Sequence, residues 1–271
     1  MTRPILFNFH THTTFCDGTN TPEEVVLAAI DRGFSAIGFS GHGTTPFDLT
    51  YCMQDTEGYI AEVTRLKEKY REKIRIFLGI EEDALALVDR GRFEYLIGSA
   101  HYCCVDGVYY SVDSSAEHRG RLLEACGGDP LRMAESYYRT FCEYIRARKP
   151  DIVGHFDLIT KYDESSDTLL LNDPRYHALA ERYLAEAMRE DPIFEINTGA
   201  MLRGIRSTPY PAENLLQMLC REEAKIILSS DSHAADTPDG FFEEMRRYLL
   251  DLGFRRAYTL TDDGFVPYSL G

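Results

Sequence analysis

The sequence lacks an apolar run of the roughly 20 residues that a membrane-spanning helix requires. Its N-terminus also lacks the apolar core and the small-residue cleavage site of a secretory signal peptide. We therefore expect no membrane partner and a cytoplasmic location. The hydrophobic content of 44% and the charged content of 27% are those of an ordinary globular protein. A length of 271 residues fits one large domain, which we expect to span 1–271.

Positive charge is scarce. The chain has 29 lysines and arginines against 44 aspartates and glutamates, which gives a net charge of −15. A broad nucleic-acid-binding surface needs basic patches, so we do not expect nucleic acid as a partner. A small phosphorylated substrate remains compatible with this charge, because bound metal ions can supply the positive charge that a phosphate requires.

Paired cysteine motifs are also missing. The seven cysteines include no C-x-x-C pair, and their number is odd. Without a secretory signal, this pattern predicts free thiols in a reducing compartment. Cys103 and Cys104 follow His101 closely. We do not expect them to bind metal, because nitrogen and oxygen ligands elsewhere supply a sufficient set.

Short apolar runs alternate with amphipathic segments along the chain. The runs predict strands at 5–9, 36–39, 74–79, 95–98, 152–154, 193–196 and 226–228. The amphipathic segments predict helices at 21–33, 58–73, 130–148, 174–189, 212–223 and 240–252. Because helices follow strands, we expect βαβ units and a parallel α/β sheet closed into a barrel-like single domain. A last run at 256–260 predicts either an eighth strand or a C-terminal extension.

Two connections are unusually long. The first, 43–57, follows the second predicted strand, and the second, 102–129, follows the fourth. Loops of this length in a compact domain are often lids or pocket walls. We expect both connections to border a functional site, and His118 in the second is a weak candidate for a substrate contact.

Six of the eight histidines lie where predicted strands end. They are His10, His12, His42, His101, His155 and His233. The first two are spaced i and i+2, so in a strand both point to the same side. His177 lies within a predicted helix and is expected to be structural. Because the carboxyl ends of parallel barrel strands share one face, the six imidazoles are expected to converge there.

Three acidic residues complete this set of metal-binding side chains. They are Asp17, Glu81 and Asp231, which bring the set to nine nitrogen and oxygen ligands. Nine ligands are too many for one tetrahedral ion, but they suit two or three ions bridged by carboxylates. The sequence therefore predicts a multinuclear metal site.

Several motifs together carry a family resemblance. They are His10-Thr11-His12 with Cys16-Asp17-Gly18, Gly79-Ile80-Glu81, Ser99-Ala100-His101, Gly154-His155-Phe156-Asp157, Glu195-Ile196-Asn197-Thr198 and Asp231-Ser232-His233. On these motifs the chain resembles the polymerase-and-histidinol-phosphatase (PHP) superfamily of metal-dependent phosphoesterases. Within it, the chain is most similar to the PHP-type histidinol-phosphate phosphatases of histidine biosynthesis. The resemblance implies a distorted (β/α)7 TIM-like barrel with three divalent ions, which would be zinc, manganese or iron.

The resemblance also implies how the ligands are shared. His10, His12, Glu81 and Asp231 would hold the first ion. Glu81 would bridge to a second ion that His101 and His155 complete, and Asp17, His42 and His233 would hold the third. One motif departs from the family, because Ser40-Gly41-His42 stands where many relatives carry an acidic residue before the histidine.

The expected activity is hydrolysis of L-histidinol phosphate to L-histidinol and phosphate. A hydroxide that bridges two ions is the expected nucleophile. Among the nine ligands, Glu81, Asp231 and His233 are the expected catalytic residues, and the last two are also candidates to protonate the leaving alkoxide. Further side chains are expected to contact the substrate. They are the cationic Lys161 and Arg203, the weaker candidate Arg206, and the wall residues Asp157, Glu164, Tyr109 and Tyr110.

Two alternatives remain at this point. One is a phosphoesterase of the same superfamily that acts on another small phosphate ester or on a nucleotide. The other is an amidohydrolase, whose barrel also begins with a His-x-His motif. That class typically bridges its metals through a lysine at the fourth strand, or uses one zinc with a lone final aspartate. Here His101 stands at the fourth strand, and the segment from Asp231 continues to His233.

Overall fold

The computed structural model describes residues 6–165 and 170–271. In chain order its strands are β1 (Leu6–Asn8), β2 (Phe34–Phe39), β3 (Arg75–Asp83), β4 (Tyr95–Ser99), β5 (Tyr102–Val105), β6 (Val108–Ser111), β7 (Ile152–Val153), β8 (Ile193–Asn197), β9 (Ile226–Ser229), β10 (Arg256–Thr261) and β11 (Gly264–Ser269). Its helices are α1 (Pro22–Arg32), α2 (Thr56–Tyr70), α3 (Ala116–Ala125), α4 (Pro130–Arg148), α5 (Pro174–Met188), α6 (Gly199–Leu202), α7 (Glu213–Arg221) and α8 (Phe242–Leu252). None of the helices in the described ranges combines the length and the apolarity needed to cross a bilayer.

All seven predicted strands lie in one sheet. Its order is β1-β2-β3-β4-β7-β8-β9, and every neighbouring pair is parallel. Past the ends of β1 and β9, the backbone N–H of His12 donates to the carbonyl of Ser232 over 2.8 Å. The N–H of Ser232 donates in turn to the carbonyl of His10 over 3.2 Å. These bonds join the first strand to the last, so the predicted α/β barrel is confirmed as a nearly closed, distorted barrel.

The helix boundaries follow local sequence signals. At the start of α1, the Thr21 hydroxyl accepts a hydrogen bond from the N–H of Glu24. The Glu24 carboxylate accepts one from the N–H of Thr21 over 2.8 Å, which completes a capping box. Proline occupies the first position of this helix, where its missing N–H costs nothing. The other five predicted helices are also present, each with its start and end within a few residues of the prediction.

The inner and outer faces of the barrel strands carry different side chains. On β8, Phe194 and Ile196 point outward into the large core beneath the helices. Ile193 points inward and packs with Phe9, Phe77 and other apolar residues of the barrel interior. Because inward positions recur every second residue, the residues that follow Ile193 on the inner face are Glu195 and Asn197. The barrel is therefore apolar at its amino end and polar at its carboxyl end.

The last run, 256–260, is a C-terminal extension and not an eighth barrel strand. It forms β10, which pairs antiparallel with β11 and has no place in the seven-stranded sheet. The hairpin packs Leu260 and Tyr268 against the interior core, with the ring of Tyr268 4.9 Å from that of Phe7. Since β1 and β9 already join each other, the run has no free barrel edge to extend.

The long connection at 102–129 contains regular secondary structure of its own. This stretch contains the antiparallel hairpin of β5 and β6 and then helix α3. Its two-residue turn is Asp106-Gly107, with φ values of 51° and 80°. An Asp-Gly turn with both residues at positive φ matches the twist of two adjoining strands. The dipeptide was therefore a readable hairpin signal in the sequence.

Candidate metal centre

The nine predicted ligands lie together at the carboxyl end of the barrel. We call them the strand-end cluster: His10, His12, Asp17, His42, Glu81, His101, His155, Asp231 and His233. They form overlapping groups whose ligand atoms all lie within 4.8 Å of one another. The groups are His12 with Asp17, His42 and His233; His10 with His12 and Asp231; His10 with Glu81 and His155; and His42 with Glu81 and His101.

Glu81 occupies the centre of the cluster. It lies on β3, is fully buried, and faces five imidazoles, among them that of His12 with Nε2 3.6 Å from Oε2. Its Oε2 lies 2.9 Å from Nδ1 of His42 and 3.3 Å from Nε2 of His10. Its Oε1 lies 3.0 Å from Nε2 of His155 and 3.3 Å from Nε2 of His101. A carboxylate with three rings at one oxygen and two at the other is arranged as a bridging ligand would be.

Asp17 belongs to the outer part of the cluster. Its Oδ2 lies 3.3 Å from Nε2 of His233 and 3.6 Å from Nε2 of His42. Its Oδ1 lies 3.4 Å from Nδ1 of His12. His42 therefore faces both Asp17 and Glu81, and His12 belongs to two groups. The groups overlap more than the three separate ligand sets that the family resemblance implies.

Several buried ligand atoms have no hydrogen-bond partner among the described residues. They include Nε2 of His10, Nε2 of His12 and Oε2 of Glu81. Unpaired buried polar atoms are uncommon in native interiors. These three face the same small space, since both Nε2 atoms lie within 3.6 Å of that carboxylate oxygen. The donor set thus fits divalent metal ions, which prefer imidazole and carboxylate ligands.

The electrostatics of the cluster keep its carboxylates ionised. Burial alone would raise the pKa of Glu81, but the charges of His42 and His10 outweigh burial and hold that pKa well below its usual range. For Asp231, His10 and Arg203 likewise outweigh burial and lower its pKa. A site of buried, ionised carboxylates attracts cations.

A cavity of about 360 Å³ opens above the strand-end cluster. One of its sides consists of six residues that we call the pocket wall: Asp48, Tyr51, Tyr102, Asp113, Lys161 and Tyr162. The first two come from the connection 43–57, the next two from the hairpin region, and the last two from the segment after β7. Both long connections therefore border the pocket.

The two predicted cationic residues, Lys161 and Arg203, both line this pocket. Nζ of Lys161 donates to the carbonyl of Asp113 over 2.8 Å and to its Oδ2 over 3.0 Å. Burial would raise the pKa of Asp113, but Lys161 outweighs it and lowers that pKa to about 2. Nη1 of Arg203 lies 3.0 Å from Nδ1 of His233, and Nη2 donates to Oδ2 of Asp231 over 3.3 Å.

Five other predicted substrate contacts do not line the pocket. They are Arg206, Asp157, Glu164, Tyr109 and Tyr110. Arg206 is buried, donates to the hydroxyl of Thr160 and covers the ring of Tyr210 at 4.4 Å. Asp157 accepts from the backbone N–H of Ala212. These side chains hold the segments behind the pocket in place, so the structure does not bring them to the pocket lining.

The remaining three lie on the surface or on the hairpin. Glu164 accepts from the N–H of Ser207. Tyr109 stacks on Phe47 with ring centroids 3.9 Å apart, and Tyr110 faces Cys103 across the hairpin. The aromatic rings that do line the pocket are those of Tyr51, Tyr102 and Tyr162. Tyr109 shares the hairpin face of Tyr102 but lies two residue pairs closer to the turn, and Tyr110 lies on the opposite face, so neither lines the pocket.

Two histidines and the cysteine pair lie outside the strand-end cluster. His118 lies on α3 and is hydrogen-bonded to the hydroxyl of Ser114, outside the pocket lining. His177 lies on α5 with Nε2 2.7 Å from the carbonyl of Leu171, a structural contact. Cys103 is buried in the core and Cys104 is exposed, and neither belongs to a ligand group.

Sequence reasoning gave no role to two polar residues of β8. Glu195 and Asn197 are fully buried on the inner face of the barrel. Oε1 of Glu195 lies 2.5 Å from Nδ1 of His10. β8, the sixth strand of the barrel, contributes no residue to the ligand groups. The alternation of side chains along β8 could have identified both residues, because it places them on the inner face beside the cluster.

Comparisons with known proteins agree with this fold. The PHP domain model matches residues 8–199. A Schizosaccharomyces pombe protein named "Probable histidinol-phosphatase" is 28% identical over 249 residues, which cover 83% of this chain and 79% of that one. The Bacillus subtilis "Histidinol-phosphatase" is 26% identical over 251 residues, covering 83% and 92%.

A solved structure supports the fold. Histidinol phosphate phosphatase from Lactococcus lactis, in complex with Zn, L-histidinol and phosphate, aligns with a TM-score of 0.67 at 20% sequence identity. The alignment covers 96% of this chain and 98% of that one. At this identity the similarity shows a shared barrel.

Proposed function

The chain belongs to the PHP domain family, and from that premise we propose that it is a metal-dependent phosphomonoesterase that hydrolyses L-histidinol phosphate to L-histidinol and phosphate. The observation that carries this proposal is the placement of Glu81 among five imidazoles at the floor of the pocket. The names of the curated relatives support the substrate, as does the L-histidinol in the Lactococcus lactis complex.

We propose that the strand-end cluster holds three divalent ions, with zinc, manganese and iron as the candidate metals. Its overlapping ligand groups and its unpaired buried atoms support more than one ion. When bound, such ions supply a water of lowered pKa and positive charge against the phosphoryl oxygens. In this proposal Glu81 links the inner ligands, and Asp17, His42 and His233 form the outer part nearest the solvent.

The protein's own cations complete the phosphate site in this proposal. Arg203 borders the cluster beside His233, and its planar fork suits two phosphoryl oxygens. Lys161 adds positive charge to the same pocket, where Asp113 fixes its position. Asp231 and His233 are the proposed carriers of the proton that the leaving alkoxide needs, and both line the pocket.

The pocket wall suits a cationic alcohol as leaving group. Asp48 brings a carboxylate to this side, with its Oδ2 accepting from the hydroxyl of Tyr102. The rings of Tyr51, Tyr102 and Tyr162 offer aromatic surface beside it. Acidic and aromatic groups favour an ammonium or an imidazolium over a neutral or anionic group. A nucleotide, the second candidate substrate, would bring further negative charge or a larger base to the same wall.

The test of this function is phosphate release from a substrate panel. Metal-loaded protein is assayed with L-histidinol phosphate, nucleoside monophosphates and sugar phosphates under identical conditions. The proposal predicts the highest kcat/KM for L-histidinol phosphate. A higher kcat/KM for a nucleotide would replace the substrate assignment and leave the phosphoesterase assignment standing. Amide hydrolysis without phosphate release would favour the amidohydrolase alternative.

A further inference from the structure

The inner face of β8 places a buried carboxylate against the metal centre without contributing a ligand. Glu195 is 1% exposed and Asn197 is completely buried. Below them Ile193 belongs to the apolar interior, so the pair lies between the core and the strand-end cluster. A buried carboxylate is costly unless it is paired and hydrogen-bonded. The contacts of Glu195 therefore indicate what it does.

Both oxygens of Glu195 are occupied. Oε1 lies 2.5 Å from Nδ1 of His10. Oε2 accepts from the backbone N–H of His155 over 2.8 Å and from Nδ2 of Asn197 over 2.9 Å. One carboxylate thus connects the ligand that follows β1 with the ligand that follows β7. Because the N–H of His155 is a fixed donor, it orients the carboxylate toward His10.

The contact with Glu195 determines which nitrogen of His10 faces the cluster. With Nδ1 donating to the carboxylate, Nε2 is left as the ligand atom. That atom lies 3.3 Å from Oε2 of Glu81 and 3.6 Å from Oδ1 of Asp231. It has no hydrogen-bond partner among the described residues. His10 is therefore held with its free nitrogen directed at the two carboxylates.

Asn197 extends the support to a third ligand. Its Nδ2 lies 3.3 Å from Oδ2 of Asp231, and its Oδ1 accepts from the N–H of Gly199 over 2.8 Å. A Cβ at position 199 would lie 2.7 Å from the same Oδ2 of Asp231. Glycine is required there because the carboxylate fills that space. β8 and its next turn thus position ligands that follow β1, β7 and β9.

His12 provides an internal contrast. It has the same strand spacing as His10, but its Nδ1 lies 3.5 Å from Sγ of Cys16 and 3.4 Å from Oδ1 of Asp17. Asp17 is itself a cluster member, and the thiol is a weak partner. The 2.5 Å contact of His10 with Glu195 is much shorter. The support from β8 is thus specific to the part of the cluster near His10 and Asp231.

We propose that Glu195, assisted by Asn197, is a positioning residue that fixes His10 and sets the affinity of the ion nearest His10 and Asp231. This inference rests on the proposed metal-dependent function. It gives β8 a role in the metal centre, although no residue of β8 is a metal ligand. It also predicts that this ion is affected separately from the ions held by the outer residues Asp17 and His233.

The test is a calorimetric titration of metal-free Glu195→Gln protein with Mn²⁺, which measures the affinity for each class of ion. Loss of an outer-shell carboxylate partner of a ligating histidine typically costs 10- to 100-fold in metal affinity, so we expect a loss of about that size for one class of ion. The remaining ions should bind within about threefold of the wild-type affinity. In Co²⁺-substituted protein the visible absorption bands should shift, because the geometry at His10 changes.

The matched control is Glu82→Gln. Glu82 neighbours Glu81 in sequence and is equally buried, but its carboxylate accepts from Arg148 and Tyr144, away from the nine ligands. This variant should lose stability and keep wild-type metal affinity. If Glu195→Gln does not fold, Glu195→Asp retains the charge but draws it back from His10, and the same selective loss of affinity is expected.

Three results separate the possible failures. The positioning role would be overturned if folded Glu195→Gln, or Glu195→Asp, bound every ion with wild-type affinity and had an unchanged Co²⁺ spectrum. An equal loss of affinity in Glu82→Gln would also overturn it, since the effect would then be general destabilisation. Wild-type protein that binds no ion and still releases phosphate would instead remove the proposed metal-dependent function.

Discussion

The strand-end cluster and the pocket wall face each other across one cavity but rest on different kinds of structure. The cluster stands on or directly after strands of a nearly closed barrel, and its central members are fully buried. The pocket wall comes mainly from the connections 43–57 and 102–129, and Asp48, Tyr51 and Tyr162 are half-buried. The difference indicates a division of work, in which the barrel fixes the chemistry and the connections fix the choice of substrate.

The pocket wall is held by side-chain contacts between separate segments. Phe47 stacks on Tyr109, and the hydroxyl of Tyr102 donates to Asp48, so the first connection is joined to the hairpin. Asp113 accepts from Lys161. Such contacts between exposed or half-buried groups are individually weak, at about 0.5–1.5 kcal/mol. Changes in the wall should therefore alter KM and selectivity more than kcat.

The largest effect is expected at the centre of the cluster. Glu81→Gln replaces one of the two carboxylate oxygens that face the imidazoles and removes the negative charge. Because the bridging carboxylate is lost, we expect kcat to fall about 10³-fold. Phosphate release and bound metal are measured on the same folded sample. Glu82→Gln serves as the control, with wild-type turnover per folded molecule. A Glu81→Gln variant with near wild-type kcat would break the proposed division of work.

A smaller effect is expected for Arg203, which borders both regions. Arg203→Ala should raise KM about 10- to 100-fold with a lesser change in kcat, because a charge-assisted contact with the phosphate is lost. Arg203→Lys keeps the charge without the planar fork, so its KM should lie between those of the wild type and the alanine variant. Steady-state kinetics measure both constants. Unchanged kinetics in the alanine variant would remove Arg203 from the phosphate site.

Asp48 tests the selectivity of the pocket wall. Asp48→Asn keeps an acceptor for Tyr102 but removes the charge. An exposed charge pair contributes about 0.2–1 kcal/mol, so the preference for L-histidinol phosphate over a neutral phosphate ester should fall about 1.4- to fivefold. The ratio of the two kcat/KM values is the measurement. Asp106→Asn, at the hairpin turn outside the pocket lining, should leave this ratio unchanged.

The smallest effect is expected at the outer contact between the two connections. Phe47→Ala removes the stack on Tyr109. Such a pair contributes about 0.5–1.5 kcal/mol. Because neither ring lines the pocket, only part of that energy should affect substrate binding, and we expect KM to rise no more than about threefold at constant kcat. Tyr109→Phe keeps the ring and should behave as wild type. A large fall in kcat in Phe47→Ala would show that the connections carry part of the chemistry.

The barrel and its cluster were predictable from the sequence because they depend on short-range rules. Strand ends such as Gly98-Ser99-Ala100-His101 place a ligand directly after an apolar run, and parallel strands bring those ends to one face. The inner position of Glu195 follows from alternation along β8. Its partner His10 is 185 residues away, so the pairing itself depends on barrel closure.

The pocket wall was less predictable because it depends on how long connections fold. The turn at Asp106-Gly107 was a readable hairpin signal, but the direction of each hairpin side chain depends on register and packing. The sequence therefore suggested Tyr109 as a wall residue, whereas the rings that line the pocket include those of Tyr51 and Tyr102. Arg206 was close in sequence to the active face, yet its segment turns the side chain toward Thr160 and Tyr210.

The most direct test of the central claim is to follow metal content and phosphate release together. Protein stripped with a chelator receives Mn²⁺ in small steps, and both quantities are measured on each sample. The account predicts that the stripped protein is inactive and that turnover of L-histidinol phosphate returns as more than one ion binds per chain. Full turnover in protein that contains no metal would contradict it.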